Sequence, residues 1–497
     1  MNKFMIHRLS YILLLLMACQ LSHAQVKARV ELPWKDDVHN YLVVPMKEKG
    51  VLLVTLSDKS SGGKRTLRLS HYDTDLRLVA SDSAQMDKSL DFDDELYEDG
   101  RCLVVLREMG RVLLGGRKVV GDNVGIVTYA PSTHKMEVKM GEFPENATIG
   151  TLSAKGDLMA FPSTKRYFDH VGMMDLATGK GQVLDLNIKS GRRKECSVLN
   201  TMVAGDEILS LVRTKKGTHL VRFDRQGAER SCVNLTPDVK ERLLTASFSE
   251  KDGGILITGT YTSHKKNYDQ GLYFARLDGD RLAFIRFYNF LDLRHFTEFM
   301  SGKGRKKVER RKERAEQRGK TLSMNSLVTS HGLMEHGGAY YYVGEAYYPT
   351  YMVTSTGFST TTVFNGYQYT HAVIVKFDAG GHLLWDNCFP MDPSYRPMRL
   401  IHFVAAGFDG GNVSALYPDK RLLVSKMFSD ADGEVVQDKQ KEVMETGDED
   451  EDVRKVRDTE TAYWHGDNFL VYGTQIVKNN ATGDRRKVIF INKYSIE

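Results

Sequence analysis

Proline, cysteine and long apolar runs are all scarce in this sequence. Among its 497 residues only 11 are proline and 5 are cysteine. That proline content excludes a collagen-like or proline-rich chain. No C-x-x-C pair occurs, which removes zinc ribbons and thioredoxin-type redox sites. The one continuous apolar run, residues 12–17, is too short to cross a bilayer, so a multi-span membrane protein is excluded. Helical periodicity is almost absent as well, which argues against a helix bundle. G-x-S-x-G does not occur, and Gly62-Gly63-Lys64 lacks the spacing of a phosphate-binding loop. What is present is globular in balance: 41% hydrophobic, 27% charged and 10% aromatic residues, values that a disordered chain does not reach.

The first 24 residues read as an export address. Lys3, His7 and Arg8 precede the apolar run ILLLLM, and Ser22-His23-Ala24 offers a small-residue cleavage site. A rival reading takes Leu16-Met17-Ala18-Cys19 as a lipobox acylated at Cys19, to which Met17 is a poor fit. Either way the expected location is the periplasm or cell surface. The expected domains are a signal peptide over 1–24 and a single domain over 25–497. Cys102, Cys196, Cys232 and Cys388 remain beyond the leader; three pairings are open, and buried free thiols are the expectation.

A repeat runs through the rest of the chain. A glycine beside a polar residue precedes a β-forming run at Gly50, Gly100, Gly156, Gly205, Gly253, Gly337, Gly410 and Gly466. A second alternating strand usually follows and ends in an Asp/Gly turn, where positive-φ positions cost glycine nothing. Each unit is thus a meander of about four short strands, at the period of propeller blades. The fold expected is an all-β propeller of about eight four-stranded blades, or seven if the unit at Gly410 is partial. Residues 26–32, a spare β-like segment before Pro33, should supply the last unit's missing strand and close the ring. The leader ending in SHAQ and the unit AYYYVGEAYYPTY…HAVIVKFDAGGHLLWD resemble exported, functionally uncharacterised propeller-like proteins of Bacteroidota-type bacteria. That resemblance carries over no catalytic residue.

Three insertions are expected on one face, at about 291–325, 349–370 and 438–458, because strand-two-to-three loops and blade crossovers emerge on the same side. The first holds KGRKKVERRKERAEQRGK, with ten basic residues against three glutamates, and reads as an exposed helix whose two apolar residues, Val308 and Ala315, give it no anchoring face. Lys306, Lys307, Arg310, Arg311 and Arg314 are its candidate contacts for an anionic partner. The third insertion is acidic from Glu442 to Asp452 and lacks the ligand spacing of a calcium loop. The second is rich in rings, and Tyr348, Tyr351, Phe358, Phe364 and Tyr367 are candidate binding residues, since tyrosine joins an apolar ring to a polar tip.

His331-Gly332-Leu333-Met334-Glu335-His336 imitates a zincin motif, but ligands at i and i+5 share no helix face. Glu345, Asp386 and Asp278 are the acids nearest the inserted face, with no catalytic role assigned. No catalytic residue, metal site or cofactor is expected from these patterns. The function expected is a non-catalytic exported propeller that binds an envelope protein, a glycan or an anionic surface, with nucleic acid not expected. The alternative is a propeller enzyme acting on glycans or peptides, its acids drawn from different blades and therefore without linear signature.

Overall fold

The computed structural model describes residues 24–34, 38–111, 117–166, 168–186, 188, 196–236, 238–264, 266–355 and 359–496. The leader, including Cys19, lies outside these residues, as does Phe358.

The chain is an all-β propeller of consecutive antiparallel meanders. Seven sheets result among the described residues, and one of them is two meanders joined by a single parallel bridge between Lys180 and Glu142. The unit at Gly410 is a full four-stranded sheet: Ala405–Asp409, Asn412–Asp419, Leu422–Ser429 and Val435–Val443. Its predecessors make the same up-and-down path because Gly100, Gly156, Gly205 and Gly253 occupy positive φ in the turn after the first strand.

Strand β1 (Ala24–Pro33) pairs with the last strand, Arg485–Ile496, from Ala24 opposite Ile496 to Pro33 opposite Val488. The last meander therefore contains both ends of the described chain, and neither Arg485–Ile496 nor its neighbour Asn468–Asn479 is an open edge. Arg29 fixes the register: its guanidinium donates to Asn492 Oδ1 and to Gln475 Oε1, both at 2.8 Å.

Every meander packs its two faces on its two neighbours. One apolar cluster joins Leu52, Val54 and Leu69 of the first meander to Val104, Leu106 and Tyr129 of the second. Another joins Val43, Val51 and Leu53 of the first meander to Trp464, Leu470 and Ile491 of the last. This last contact closes the circle.

The first strands form the inner ring, and each junction carries a polar clasp as well. Asn40 Nδ2 donates to Asp91 Oδ1 at 2.9 Å, and Asn200 Nδ2 donates to the Ala246 carbonyl at 3.0 Å. The Glu345 carboxylate, fully buried, accepts the N–H groups of Phe403 and Val404 at 3.0 and 3.1 Å. Trp464 Nε1 donates to the Gly50 carbonyl at 2.8 Å, across the closing junction. These bonds answer buried polar groups that would otherwise cost about 1–3 kcal/mol each.

The sequence-expected insertions take different forms. Residues 291–325 contain helix α1 (Gly302–Glu316), capped by Ser301, whose Oγ accepts the Gly304 N–H at 3.3 Å. The expectation that nothing anchors this helix is corrected. Val308 is partly buried against the cluster of Phe290, Phe296 and Val328, and Lys312 Nζ donates to the Leu291 carbonyl at 2.8 Å. Residues 349–370 extend the paired strands Ala339–Ser355 and Thr360–Phe377 into a long hairpin. Residues 438–458 run as the end of Val435–Val443, a short connection and the start of Glu451–His465. All four cysteines named above are free, and burial pushes the Cys102 and Cys388 thiols up to about 12.

Since only one partly buried valine and one lysine tie α1 down, removing 303–320 should lower stability by no more than ~2 kcal/mol. Melting of the excised variant beside the intact chain measures this.

Candidate functional site

Four first strands carry a β-bulge at near-equivalent points, just after Val38, Phe92, Val198 and Arg457. Asn40, Asp94 and Asn200 each follow such a bulge, and each accepts the next residue's N–H on Oδ1, at 3.0, 2.9 and 2.8 Å. A bulge turns the side chains beside it away from the regular alternation, which is why bulges recur next to active sites. Here they present polar side chains at the inner ring, where an unbroken strand would continue its apolar alternation.

Two of these strands bring carboxyls together. Leu90–Glu98 supplies Asp93, Asp94 and Glu95, and Glu451–His465 supplies Asp458 and Glu460. Glu95 and Glu460 both reach solvent, yet protein surrounds their carboxyls. That enclosure weakens hydration of a charge. It pushes Glu95 up to about 7, with the charges of Asp94 and Glu460 adding to the rise and Arg399 opposing it. Asp94 is pushed up to about 6 by burial, against the bond from the Glu95 N–H. Asp93 also rises to about 6 by burial, against the opposing charge of Arg107. Glu460 is raised by burial too, while two influences favour its ionised form: Tyr472 donates its O–H to Oε2 at 3.2 Å, and Arg399 supplies positive potential. Burial, reinforced by Glu460 and Asp458, holds the Tyr41 phenol above its ordinary value. Glu95 feels the negative charges of both Asp94 and Glu460, and both add to its rise.

The connection between the sixth and seventh meanders, residues 391–404, carries Tyr395 and Arg399 to these acids; Tyr395 feels Asp458, Arg399 and Glu460. Both side chains are exposed, and among the described residues Arg399 makes no hydrogen bond or ion pair of its own. The connection itself is tied down. The Tyr367 N–H donates to the Pro397 carbonyl at 2.9 Å, Arg396 Nε to Gln368 Oε1 at 2.7 Å, and the Tyr369 hydroxyl to the Ile401 carbonyl at 2.6 Å. Gly366 has φ +84°, and a Cβ there would stand 2.6 Å from the Arg396 carbonyl oxygen, so the hairpin needs glycine to touch this loop.

The residues singled out from sequence occupy other places. Tyr348 and Tyr351 are 50% and 60% exposed, so they are the hairpin rings open to solvent. Phe364 and Tyr367 are half-buried and pack edge to face, Tyr351 on Phe364 at 5.9 Å and Phe364 on Tyr367 at 5.0 Å. The hairpin is thus largely self-packed, and its base buttresses the loop that reaches the channel. Lys306, Lys307, Arg310, Arg311 and Arg314 are exposed on α1. No hydrogen bond or ring contact among the described residues joins them to the hairpin. His331 and His336 diverge: His331 Nε2 bonds Glu345 at 2.6 Å, whereas His336 stacks on Phe408 at 4.3 Å. Asp386 accepts the Arg294 and His295 N–H groups, and Asp278 pairs with Arg276 on the surface. Sequence reasoning passed over Asp93, Asp94, Glu95 and Glu460.

The raised acids set a pH signature. A carboxyl whose folded pKa exceeds its unfolded value keeps a proton that the unfolded chain has released, so its contribution to stability falls as pH rises from about 4.5 to about 7. His371, buried, and His402, both lowered to about 3, act in the opposite sense below their unfolded pKa. The comparison of variant with parent isolates the acids. Asp94→Asn with Glu95→Gln should raise the melting temperature more at pH 8 than at pH 5, and a pH-independent difference would contradict the assignment.

No family model matches the sequence, and no curated protein matches it. Solved structures do. A prolyl endopeptidase structure aligns at 10% identity over 88% of this chain and 54% of that one, with a TM-score of 0.37. Dihydro-heme d1 dehydrogenase NirN in complex with DHE aligns at 11% identity over 95% of this chain and 79% of that one, with a TM-score of 0.42. Cobalt-substituted Synechocystis ACO aligns at 11% identity over 48% of this chain and 59% of that one, with a TM-score of 0.29. The chain thus spans between half and two thirds of the first and third of these proteins. The expectation of a non-catalytic binding module is corrected here. The polar groups that this chain gathers on its inner strands are acids, not the rings and cations of the insertions.

Proposed function

We propose that this chain is a propeller-fold hydrolase acting on glycosidic bonds, with its reacting groups in the central channel. The observation that carries the reading is Glu95, held up to about 7 between Asp94 and Glu460 on the inner ring. A carboxyl with that pKa is still substantially protonated at neutral pH and is matched to proton donation there. Glycoside hydrolysis needs two carboxyls in opposite states, one neutral and one ionised. Glu95 is the neutral one and donates its proton to the glycosidic oxygen as the bond to the leaving sugar breaks. Glu460, where Tyr472 and Arg399 offset part of the rise that burial causes, takes a proton from the water that adds to the anomeric carbon. Exchange with solvent then returns both carboxyls to their starting states. Tyr395, exposed beside these acids, offers a ring face for a sugar.

The leader read in residues 1–24 supports an exported location, in the periplasm or at the cell surface, where envelope and environmental glycans are within reach. The test is release of reducing ends from a panel of neutral and acidic polysaccharides. The proposal expects turnover of at least one class, lost in Glu95→Gln and in Glu460→Gln. Turnover that survives both substitutions, or none across the panel, would overturn it.

A further inference from the structure

A second concavity lies between the fourth and fifth meanders. Its wall is the turn joining Glu207–Thr214 to Gly217–Phe223, and its other side is the crossover that leads into Arg242–Leu243. Strand-two-to-three turns and crossovers leave the same side of a propeller, so this concavity opens on the face that also carries α1 and residues 391–404.

Five cations line it: Arg213, Lys215, Lys216, Lys240 and Arg242, against the single carboxylate of Glu241. Both guanidiniums are held by hydrogen bonds to oxygens of the walls. Arg213 donates to the Leu243 carbonyl and to Ser197 Oγ, both at 3.1 Å, and Arg242 donates to the His264 carbonyl at 2.7 Å. They also oppose one another: burial lowers the Arg213 pKa and the charge of Arg242 lowers it further, against the opposing charge of Asp169. Guanidiniums presenting several N–H groups suit tetrahedral oxyanions.

The base of the concavity is rigid. Gly217 has φ +132°, and a Cβ there would lie 2.6 Å from Asn234 Oδ1 and 2.9 Å from the Thr236 carbonyl oxygen. Asn234 Nδ2 donates to the Lys216 carbonyl at 3.1 Å, and the Thr218 N–H donates to Thr236 Oγ1 at 2.8 Å. Turn and crossover are therefore tied together beneath the cations. The cations of α1 differ, since they project from a convex, solvated helix. The concavity measures about 540 Å³, within the ~300–1,000 Å³ usual for small-molecule sites and larger than a bare oxyanion requires.

We propose that this concavity binds a sulfate or phosphate ester carried on a larger molecule, and that the site is separate from the channel acids. The two esters share one chemistry, a tetrahedral oxyanion of charge near −2 or −1, and the test separates them. Isothermal titration at low ionic strength is run on the leaderless chain with a sulfated oligosaccharide, its desulfated counterpart, the corresponding sugar phosphate and inorganic phosphate. Binding of the sulfated sugar or of the sugar phosphate, with none of the desulfated sugar, is expected. Lys215→Gln, Lys216→Gln and Lys240→Gln together should weaken it at least tenfold. All three side chains are exposed, so melting should not change. Arg242→Gln should weaken binding alike, whereas Lys306→Gln, Lys307→Gln, Arg310→Gln and Arg311→Gln on α1 should leave it intact. Binding that survives the triple substitution, binding lost only with the α1 set, or no binding by any ester would overturn the proposal. Because the readout is affinity, the outcome does not depend on whether the channel hydrolyses anything.

Discussion

Removing residues 24–33 should unfold the chain at temperatures where the intact propeller is stable. The deletion strips Arg485–Ile496 of its outer partner along a register running from Ala24 to Pro33. It also removes Ala28, Val30 and Leu32 from the cluster where the last meander meets the first, leaving Trp464, Leu470, Ile489 and Ile491 partly uncovered. Arg29 goes with them, and the Asn492 and Gln475 oxygens it serves lose their donor inside a buried pair of strands. Lost ladder bonds and lost apolar burial together amount to on the order of 5 kcal/mol or more. That is comparable to the whole stability of a typical domain. Loss of a cooperative melt, or a midpoint lowered by more than about 10 °C, is the expected result in differential scanning calorimetry. A ring is more sensitive to such a cut than an open sheet, because the first and last meanders each lose part of one of their two packed faces.

The second large effect belongs to Glu95. Glu95→Gln keeps the shape and one hydrogen-bonding oxygen of the side chain but removes the proton that the channel holds. Hydrolysis of whichever glycan the intact chain turns over should fall about 10²–10⁴-fold, the usual contribution of a general acid. Melting should be unchanged or slightly raised at neutral pH, since a neutral amide does not meet the repulsion of Asp94 and Glu460. A substrate whose leaving group needs no protonation, such as an activated aryl glycoside, should lose much less. That contrast separates proton donation from a general loss of structure.

The ring was legible because its cause is local. Glycines at positive φ, such as Gly100, Gly156 and Gly205, sit at each tight turn, and alternating strands follow them at a nearly constant interval. The closing strand was legible for a related reason: the last unit supplies three strands, and residues 26–32 form a β-like segment that belongs to no other unit. The channel acids were not legible, because Glu95 and Glu460 come from different meanders and meet only once the ring closes. One local signal could have pointed to them. Asn40, Asp94 and Asn200 stand at like positions in first strands, where an apolar residue would continue the alternation. Polar residues recurring at a like point of several first strands mark the positions where the apolar alternation breaks at the inner ring. Glu345 stands in the aromatic unit, and its carboxylate is consumed in tying Phe403 and Val404 to the sixth meander. The rings of 340–369 were correctly seen as a cluster, and their packing on one another and against residues 391–404 depends on a β-hairpin register that composition does not encode.

The account turns on the protonation state of Glu95, and this can be measured with no substrate at all. The chain labelled with ¹³C at glutamate side-chain carboxyls is titrated from pH 4 to pH 9 by nuclear magnetic resonance, and the Glu95 signal is assigned by its loss in Glu95→Gln. The account predicts a midpoint near 7 that moves downward in Glu460→Gln, as the neighbouring charge is removed. A midpoint near the ordinary glutamate value of 4.5, unmoved by Glu460→Gln, would contradict it.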